Sequence, residues 1–318
     1  MVELAELSDR RTAPAADTPR PAVGGRSARL RTAAVSLGMV GPAVALYTVL
    51  TVVPVGVAIY LSLTDWNGFS TAVFVGFDNY RHLFADPAST RSWYVTAVIA
   101  VVGTVGMVGG GLAYALLLKG RSRTNAFFRA LAYYPHVISA LILGYLWAAI
   151  LGTNGAVNST LHRFGLSEPI GFLFDEKLAL VSVIWVIVWA GFGFNVVLFV
   201  AALQTVPAEL LEAAAIDGAS TWQTNRRVVV PMIAPVVTVA TVLNLVGLVR
   251  AYDLIVSLTG GGPAGSTQTF SYLILARSFA GTKVGYATAQ AVFLMVVSAA
   301  LALLVTALRN RQDQAAAG

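Results

Sequence analysis

The chain contains no cysteine, which excludes a disulfide framework and any thiolate metal site. Charge is nearly as scarce. Asp, Glu, Lys and Arg make up 11% of the 318 residues, against about a quarter in an ordinary soluble protein. The three histidines, His82, His136 and His162, are scattered without ligand spacing, and no HExxH occurs. No GxxxxGK[ST] phosphate loop is present, so ATP is not bound in that way. A GxSxG nucleophile elbow is absent too, and the adjacent carboxylates Asp175 and Glu176 fall in a loop, where solvation explains them. No catalytic residue and no metal ligand is therefore assigned, and an enzyme is not expected.

What the chain does have is apolar length. Hydrophobic residues make up 57% and the mean hydropathy is +0.74, so most of the chain must be solvated by lipid. Six apolar runs lie at about 34–63, 95–118, 131–151, 178–203, 232–258 and 285–308, each near the ~20 residues that cross a bilayer. Only helices and closed barrels can span lipid, because every backbone polar group needs an internal partner. These runs are unbroken rather than alternating, so the expected fold is an all-α integral membrane protein with six transmembrane helices. Residues 1–33 form a basic tail without periodicity, expected to be disordered. Its Arg10-Arg11 pair lacks the apolar segment that a twin-arginine signal needs. The six-span domain covers 34–310, with a core at about 91–308, and 311–318 form a C-terminal tail.

Lysine and arginine orient the spans, since cytoplasmic loops collect them. One side holds fourteen, in the N-terminal tail, the loop with Lys119, Arg121, Arg123 and Arg129, the pair Arg226-Arg227, and Arg309 and Arg311. The other side holds six: Arg81, Arg91, Arg163, Lys177, Arg277 and Lys283. Both termini are thus expected in the cytoplasm, and the net charge of +6 reflects this bias rather than nucleic-acid binding.

Within the spans, small-xxx-small pairs such as Gly106/Gly110 permit close helix approach. Pro135, in Tyr133-Tyr134-Pro135-His136, should kink or start the third span. Arg250 and Asp253 stand i,i+3 at the end of the fifth run; they neutralise each other, sit at the interface, or meet a polar solute. Thr259-Gly260-Gly261-Gly262-Pro263 reads as a turn.

One polar insert, 205–231, stands between two apolar runs on the cytoplasmic side. Pro207 suits a first helical turn, and Glu209 and Glu212 lie near that helix's N-terminus, where its dipole favours negative charge. Asp217-Gly218 stops the helix, with Gly218 at C′. Ser220-Thr221-Trp222-Gln223 then opens a second helix with a capping box, and Pro231 closes the unit. Leu210 and Leu211 supply an apolar face and Ala213, Ala214 and Ala215 allow close packing. Two short helices hinged at a glycine form a docking surface.

The spacing Glu212-Ala213-Ala214, Asp217-Gly218-Ala219 and Pro231-Met232-Ile233-Ala234-Pro235 resembles the EAA loop of bacterial ABC importer permeases. Ser62-Leu63-Thr64-Asp65-Trp66, Val75-Gly76-Phe77-Asp78-Asn79-Tyr80 and Tyr252-Asp253-Leu254-Ile255 with its Gly-rich sequel are similar to the maltose- and glycerol-3-phosphate-type sugar permeases. The likeness covers roughly 38–310. It implies a type I importer fold in the bacterial inner membrane, with a second permease subunit, two ATP-binding subunits and an extracytoplasmic solute-binding protein as partners. ATP and Mg²⁺ then belong to the partner ATPase, and this chain binds no cofactor. Leu211, Glu212, Ala213, Ala214, Asp217, Gly218 and Pro231 become the ATPase-coupling residues.

The same likeness puts Gly191 and Asn244 at sugar-lining positions, and Asn244 can both donate to and accept from hydroxyls. Tyr145, Trp185, Trp189, Asn195 and Tyr252 join the expected pathway, the aromatics by stacking or simply by packing. Arg250 departs from the uncharged residue usual in the family and suits an anionic or heavily hydroxylated solute, or marks a different pocket. A permease for a glycerophosphodiester or short peptide stays open. So does a stand-alone secondary transporter, which would need intramembrane carboxylates and inverted repeats; Asp253 is its sole candidate. A membrane scaffold is a further alternative.

Overall fold

The computed structural model describes residues 38–120, 122–279 and 283–317, with the side chains of 278–279 and 310–317 left aside. The expected basic tail, 1–33, lies outside them. Two units separate, 1–56 and 57–318. The described part of the first is the bulk of helix α1 (Gly38–Ser62), and none of its residues 38–56 is buried.

In the second unit, a two-residue ladder pairs β1 (Thr64–Asp65) antiparallel with β2 (Val73–Phe74), Thr64 opposite Phe74. Helices α2 (Asp78–Ala85), α3 (Pro87–Leu117) and α4 (Arg123–Val137) follow. Next come α5 (Ala140–Leu151), α6 (Ala156–Arg163) and α7 (Glu176–Leu203). The insert contributes α8 (Ala208–Ile216) and α9 (Thr221–Met232). Then follow α10 (Ala234–Val249), α11 (Asp253–Leu258), α12 (Phe270–Phe279) and α13 (Val284–Ala317).

Local chemistry starts the long helices where the sequence allows. Asp86 caps α3 by accepting from the Ala88 amide at 3.0 Å, with Pro87 at N1. Asp175 caps α7 by accepting from the Lys177 and Leu178 amides. Ser122 caps α4 by accepting from the Asn125 amide.

Among the described residues, five helices are long and apolar enough to cross a membrane. A sixth crossing results if α9 and α10, bent by 69°, count as one. The fold is therefore the expected helical membrane bundle, with two corrections to its spans. The third run does not cross as one helix: α4 ends at Val137, and the apolar helix that follows is α5 with α6, over Ala140–Arg163. Pro135 lies in the last turn of α4, where it neither starts nor mid-kinks a span; it removes a hydrogen bond and crowds the carbonyl four residues back. The fifth run is also interrupted, α10 ending at Val249 and α11 resuming at Asp253. Hydropathy sees an unbroken apolar run in both places, because it carries no information on φ and ψ. Helix α13 itself runs on through Ala317, while its stretch apolar enough to cross a membrane ends at Arg309.

The core is built around α7, which packs against α3, α4, α10 and α11. Val183, Val186, Val196 and Phe199 of α7 are fully enclosed. Without a hydrophobic drive between helices in lipid, close approach and shape decide such contacts. A Cβ on Gly111 of α3 would stand 2.6 Å from Asn195 Cβ, and one on Gly193 of α7 would collide with the Ala132 carbonyl of α4. The α3 glycines that matter are not the expected pair: Gly106 abuts Val188, whereas Gly109 and Gly110 face open space.

Candidate functional site

The insert is self-contained. Pro207 stands just before α8, as its N-cap rather than within its first turn. Glu209 occupies the first turn. At the other end the Ala219 amide donates to Ala214 O at 3.0 Å and the Gly218 amide to Ala215 O at 3.1 Å. This is a Schellman cap, and Gly218 supplies its left-handed residue with φ +74°. The capping box is complete: Ser220 N donates to Gln223 Oε1 at 2.8 Å and Gln223 N to Ser220 Oγ at 3.3 Å. Pro231 does not close the second helix, because α9 continues to Met232 and the bend follows at Ile233.

The surface this creates has little covering it among the described residues. No residue of α8 is buried. Leu211 and Ala214 are half-covered, while Glu212, Ala213, Ala215 and Asp217 are exposed. Ile216 is 86% exposed and Trp222 70%. Glu212 makes no ion pair among the described residues. A hydrogen bond from Lys119 Nζ to Asn225 Oδ1, 3.4 Å, ties α9 to the end of α3. Exposed large apolar side chains beside a free carboxylate suit a protein interface better than solvent.

The expected pathway residues divide. Gly191, Asn195 and Asn244 come together in the bundle. Asn195 Nδ2 donates to Gly191 O at 3.3 Å and to Asn244 Oδ1 at 3.4 Å. Asn244 Nδ2 donates to Asn195 Oδ1 at 2.8 Å and to Ala240 O at 2.7 Å. Both amides are buried. Trp189 joins Trp185 in a stacked pair with centroids 6.4 Å apart, and Trp147 stands edge-on to both. These tryptophans pack on one another, and the buried Trp147 Nε1 has no hydrogen-bond partner among the described residues. Trp147 was missed in the sequence, where only the α7 tryptophans stand out. Tyr145 is away from this cluster and 62% exposed.

Tyr252 stacks on Tyr272 at 6.3 Å. Arg250 and Asp253 flank the break between α10 and α11, and no ion pair joins them. Of the readings open for that pair, mutual neutralisation is the one the geometry removes. The Gly-rich sequel is a turn as expected, with left-handed Gly260 and Gly261 and a hydrogen bond between the Thr259 and Thr267 hydroxyls at 2.7 Å.

At the end of the bundle where α2 meets α3 lies a polar cleft of about 570 Å³, lined by Asp65, Asp78, His82, Asp86, Arg277 and Tyr286 among others. Asp86 Oδ2 receives Arg277 Nη2 at 2.9 Å and Tyr286 Oη at 3.2 Å. Ser89 Oγ donates to the same oxygen, and Gln290 Nε2 donates to Ser89 Oγ. The Asp86-Pro87 dipeptide carried a helix-start signal for this hub. The partners Arg277 and Tyr286, about 190 residues on, could not be paired with it from sequence. The loop motifs also converge: Asn79 Nδ2 donates to Ser62 O and Thr64 O, both at 2.9 Å, and Ser62 Oγ meets Tyr80 Oη.

Known proteins align with this architecture. The family model described as binding-protein-dependent transport system inner membrane component matches residues 106–314. A diacetylchitobiose uptake system permease protein of Streptomyces coelicolor is 34% identical over 323 residues, covering 96% of this chain and 90% of that protein. A probable starch degradation products transport system permease protein of Thermoanaerobacterium thermosulfurigenes is 30% identical over 275 residues, covering 86% of this chain and 93% of its own. Among solved structures, a bacterial ABC transporter involved in alginate import superposes with a TM-score of 0.78 at 23% identity, covering 90% of this chain and 98% of that one.

Proposed function

The chain belongs to the binding-protein-dependent transport system inner membrane components, and from that premise we propose that it carries a sugar or sugar oligomer inward as one half of an ATP-driven importer. It is a multi-pass membrane permease subunit. The observation that carries the mechanism is the insert: a rigidly capped helix pair whose Leu210, Ile216 and Trp222 are exposed among the described residues. A partner ATPase covers that face, Glu212 pairs with a basic residue across the interface, and Ala213 and Ala214 let the backbones approach. ATP and Mg²⁺ bind on that partner. The insert and both termini are cytoplasmic, a second permease subunit completes the pathway, and an external binding protein delivers the solute. The relatives' names favour a glycan among possible solutes. Arg250, exposed at the break of the fifth span and in no ion pair among the described residues, favours a second, narrower reading in which the solute is anionic.

The decisive experiment reconstitutes the chain with its ATPase, partner permease and binding protein in liposomes. ATP-dependent accumulation of diacetylchitobiose or malto-oligosaccharides, and none of a tripeptide, is expected; accumulation of a glycerophosphodiester instead would favour the anionic reading. Glu212→Lys should abolish uptake while insertion is unchanged. Full uptake by that variant, or gradient-driven flux by the chain alone, would sink the docking claim.

A further inference from the structure

The reciprocal amide pair between α7 and α10 has a property that ordinary helix glue lacks. Each Asn Nδ2 has two hydrogens, and here all four are spent. Asn195 uses its two on Gly191 O and Asn244 Oδ1; Asn244 uses its two on Asn195 Oδ1 and Ala240 O. In this arrangement neither amide has a donor left for a hydroxyl, so Asn244 can donate to a solute only once Asn195 releases it.

The two helices that carry the pair differ in how they are held. Continuous over 28 residues, α7 is keyed to its neighbours at Gly193 against the Ala132 carbonyl and at Asn195 against Gly111. Its partner α10 is a 16-residue rod with a break at each end, a 69° bend at Ile233 and an unwound segment at 250–252. Its Gly247 meets nothing within 4 Å of where a Cβ would lie, and the rod packs chiefly on α3, where Leu248 stands 2.7 Å from a Cβ placed on Gly103. One residue, Ile233, separates this rod from α9 of the insert. A displacement of the insert thus reaches α10 first, and the amide pair, two-thirds of the way along α10, is the polar contact that holds the rod on the fixed helix.

We propose that Asn195 and Asn244 form a clasp that opens and closes with the transport cycle, with Asn195 as a positioning residue that controls when Asn244 is free to meet solute. The proposal rests on the importer reading and adds to it a conformation-dependent contact inside the bundle. An apolar pair of equal size would hold the helices together without this selectivity. Amides in lipid have no water to fall back on, so the pair has two well-separated arrangements: bonded to each other, or bonded to a solute and its water.

The absence of native cysteine makes the test direct. In the assembled importer, Asn195→Cys with Asn244→Cys should be bridged by a short bifunctional thiol reagent at rates that differ about tenfold between the nucleotide-free and the ATP–vanadate-trapped states. Equal rates in both, or no bridging in either, overturn the clasp. A second measurement does not depend on the cysteines. Asn195→Ala and Asn244→Ala should each raise solute-independent ATP hydrolysis several-fold, and the double variant no further than either single one. Additive effects, or unchanged hydrolysis in well-folded variants, also overturn it. If the wild-type chain fails to stimulate any ATPase partner, the importer reading itself is at fault, and bridging of the cysteine pair still reports whether the contact exists.

Discussion

The insert and the interface of α7 with α3 and α4 are both helical, both capped and both rich in small residues, yet they end in opposite states. At Gly193 and Gly111 the small residues are consumed by a neighbour from the same chain, to the point where a Cβ finds no room. Along α8 the small residues Ala213 and Ala215 stay exposed and Ala214 is only half-covered, and no side chain of the helix is buried among the described residues. Small residues let backbones approach wherever they occur; whether the approach happens inside the chain or awaits another one depends on what the fold brings near. The difference separates helices packed within the bundle from a helix left open.

The comparison breaks most visibly at Gly193. Gly193→Val drives a branched side chain into the Ala132 carbonyl, and a loss of about 3 kcal/mol or more is expected. Detergent size-exclusion should then show little monodisperse protein, whereas Gly109→Ala on the open face of α3 should behave as wild type. At the insert the prediction inverts. Gly218→Pro demands φ near −65° where the backbone holds +74°, so the Schellman cap and with it ATP-driven uptake should be lost. The thermal midpoint of the bundle should scarcely move, because nothing in the core rests on α8. A drop in both readouts together would show that the insert is part of the core after all.

Asp86 offers an intermediate case, being at once a helix cap and the acceptor for Arg277 and Tyr286. Asp86→Ala should cost about 1–2 kcal/mol, chiefly through the cap, since the ion pair is partly solvated; thermal unfolding of the purified chain measures it. Ser220→Ala is the smallest. It should cost about 1 kcal/mol in α9 alone, seen as faster amide exchange over 221–224 with no change in global stability.

Much of this was legible in residue order, for physical reasons that act locally. The Schellman cap at Asp217-Gly218 and the capping box at Ser220-Gln223 close within six residues, so their chemistry is written in adjacent letters. Long apolar runs likewise declare lipid exposure by length alone. The misses share one cause. The breaks at 138–139 and 250–252 are backbone events inside apolar runs, and the partner of each glycine in α3 depends on which face meets α7, a matter of rotation that spacing leaves open. Asp86 and Arg277, or Trp147 and the α7 tryptophans, meet only because the helices between them fold back.

By itself, then, the amino-acid order determined that this chain lives in lipid as helices and that 205–231 folds into two capped helices. Those outcomes depend on hydropathy and on hydrogen bonds between near neighbours. The tertiary structure alone decided that Asn195 and Asn244 spend their donors on each other and that α10 is a rod broken at both ends. It also decided that the insert keeps its apolar side chains uncovered. Each of these depends on which surfaces come within a few ångströms across tens or hundreds of residues, and close packing, not sequence proximity, sets that.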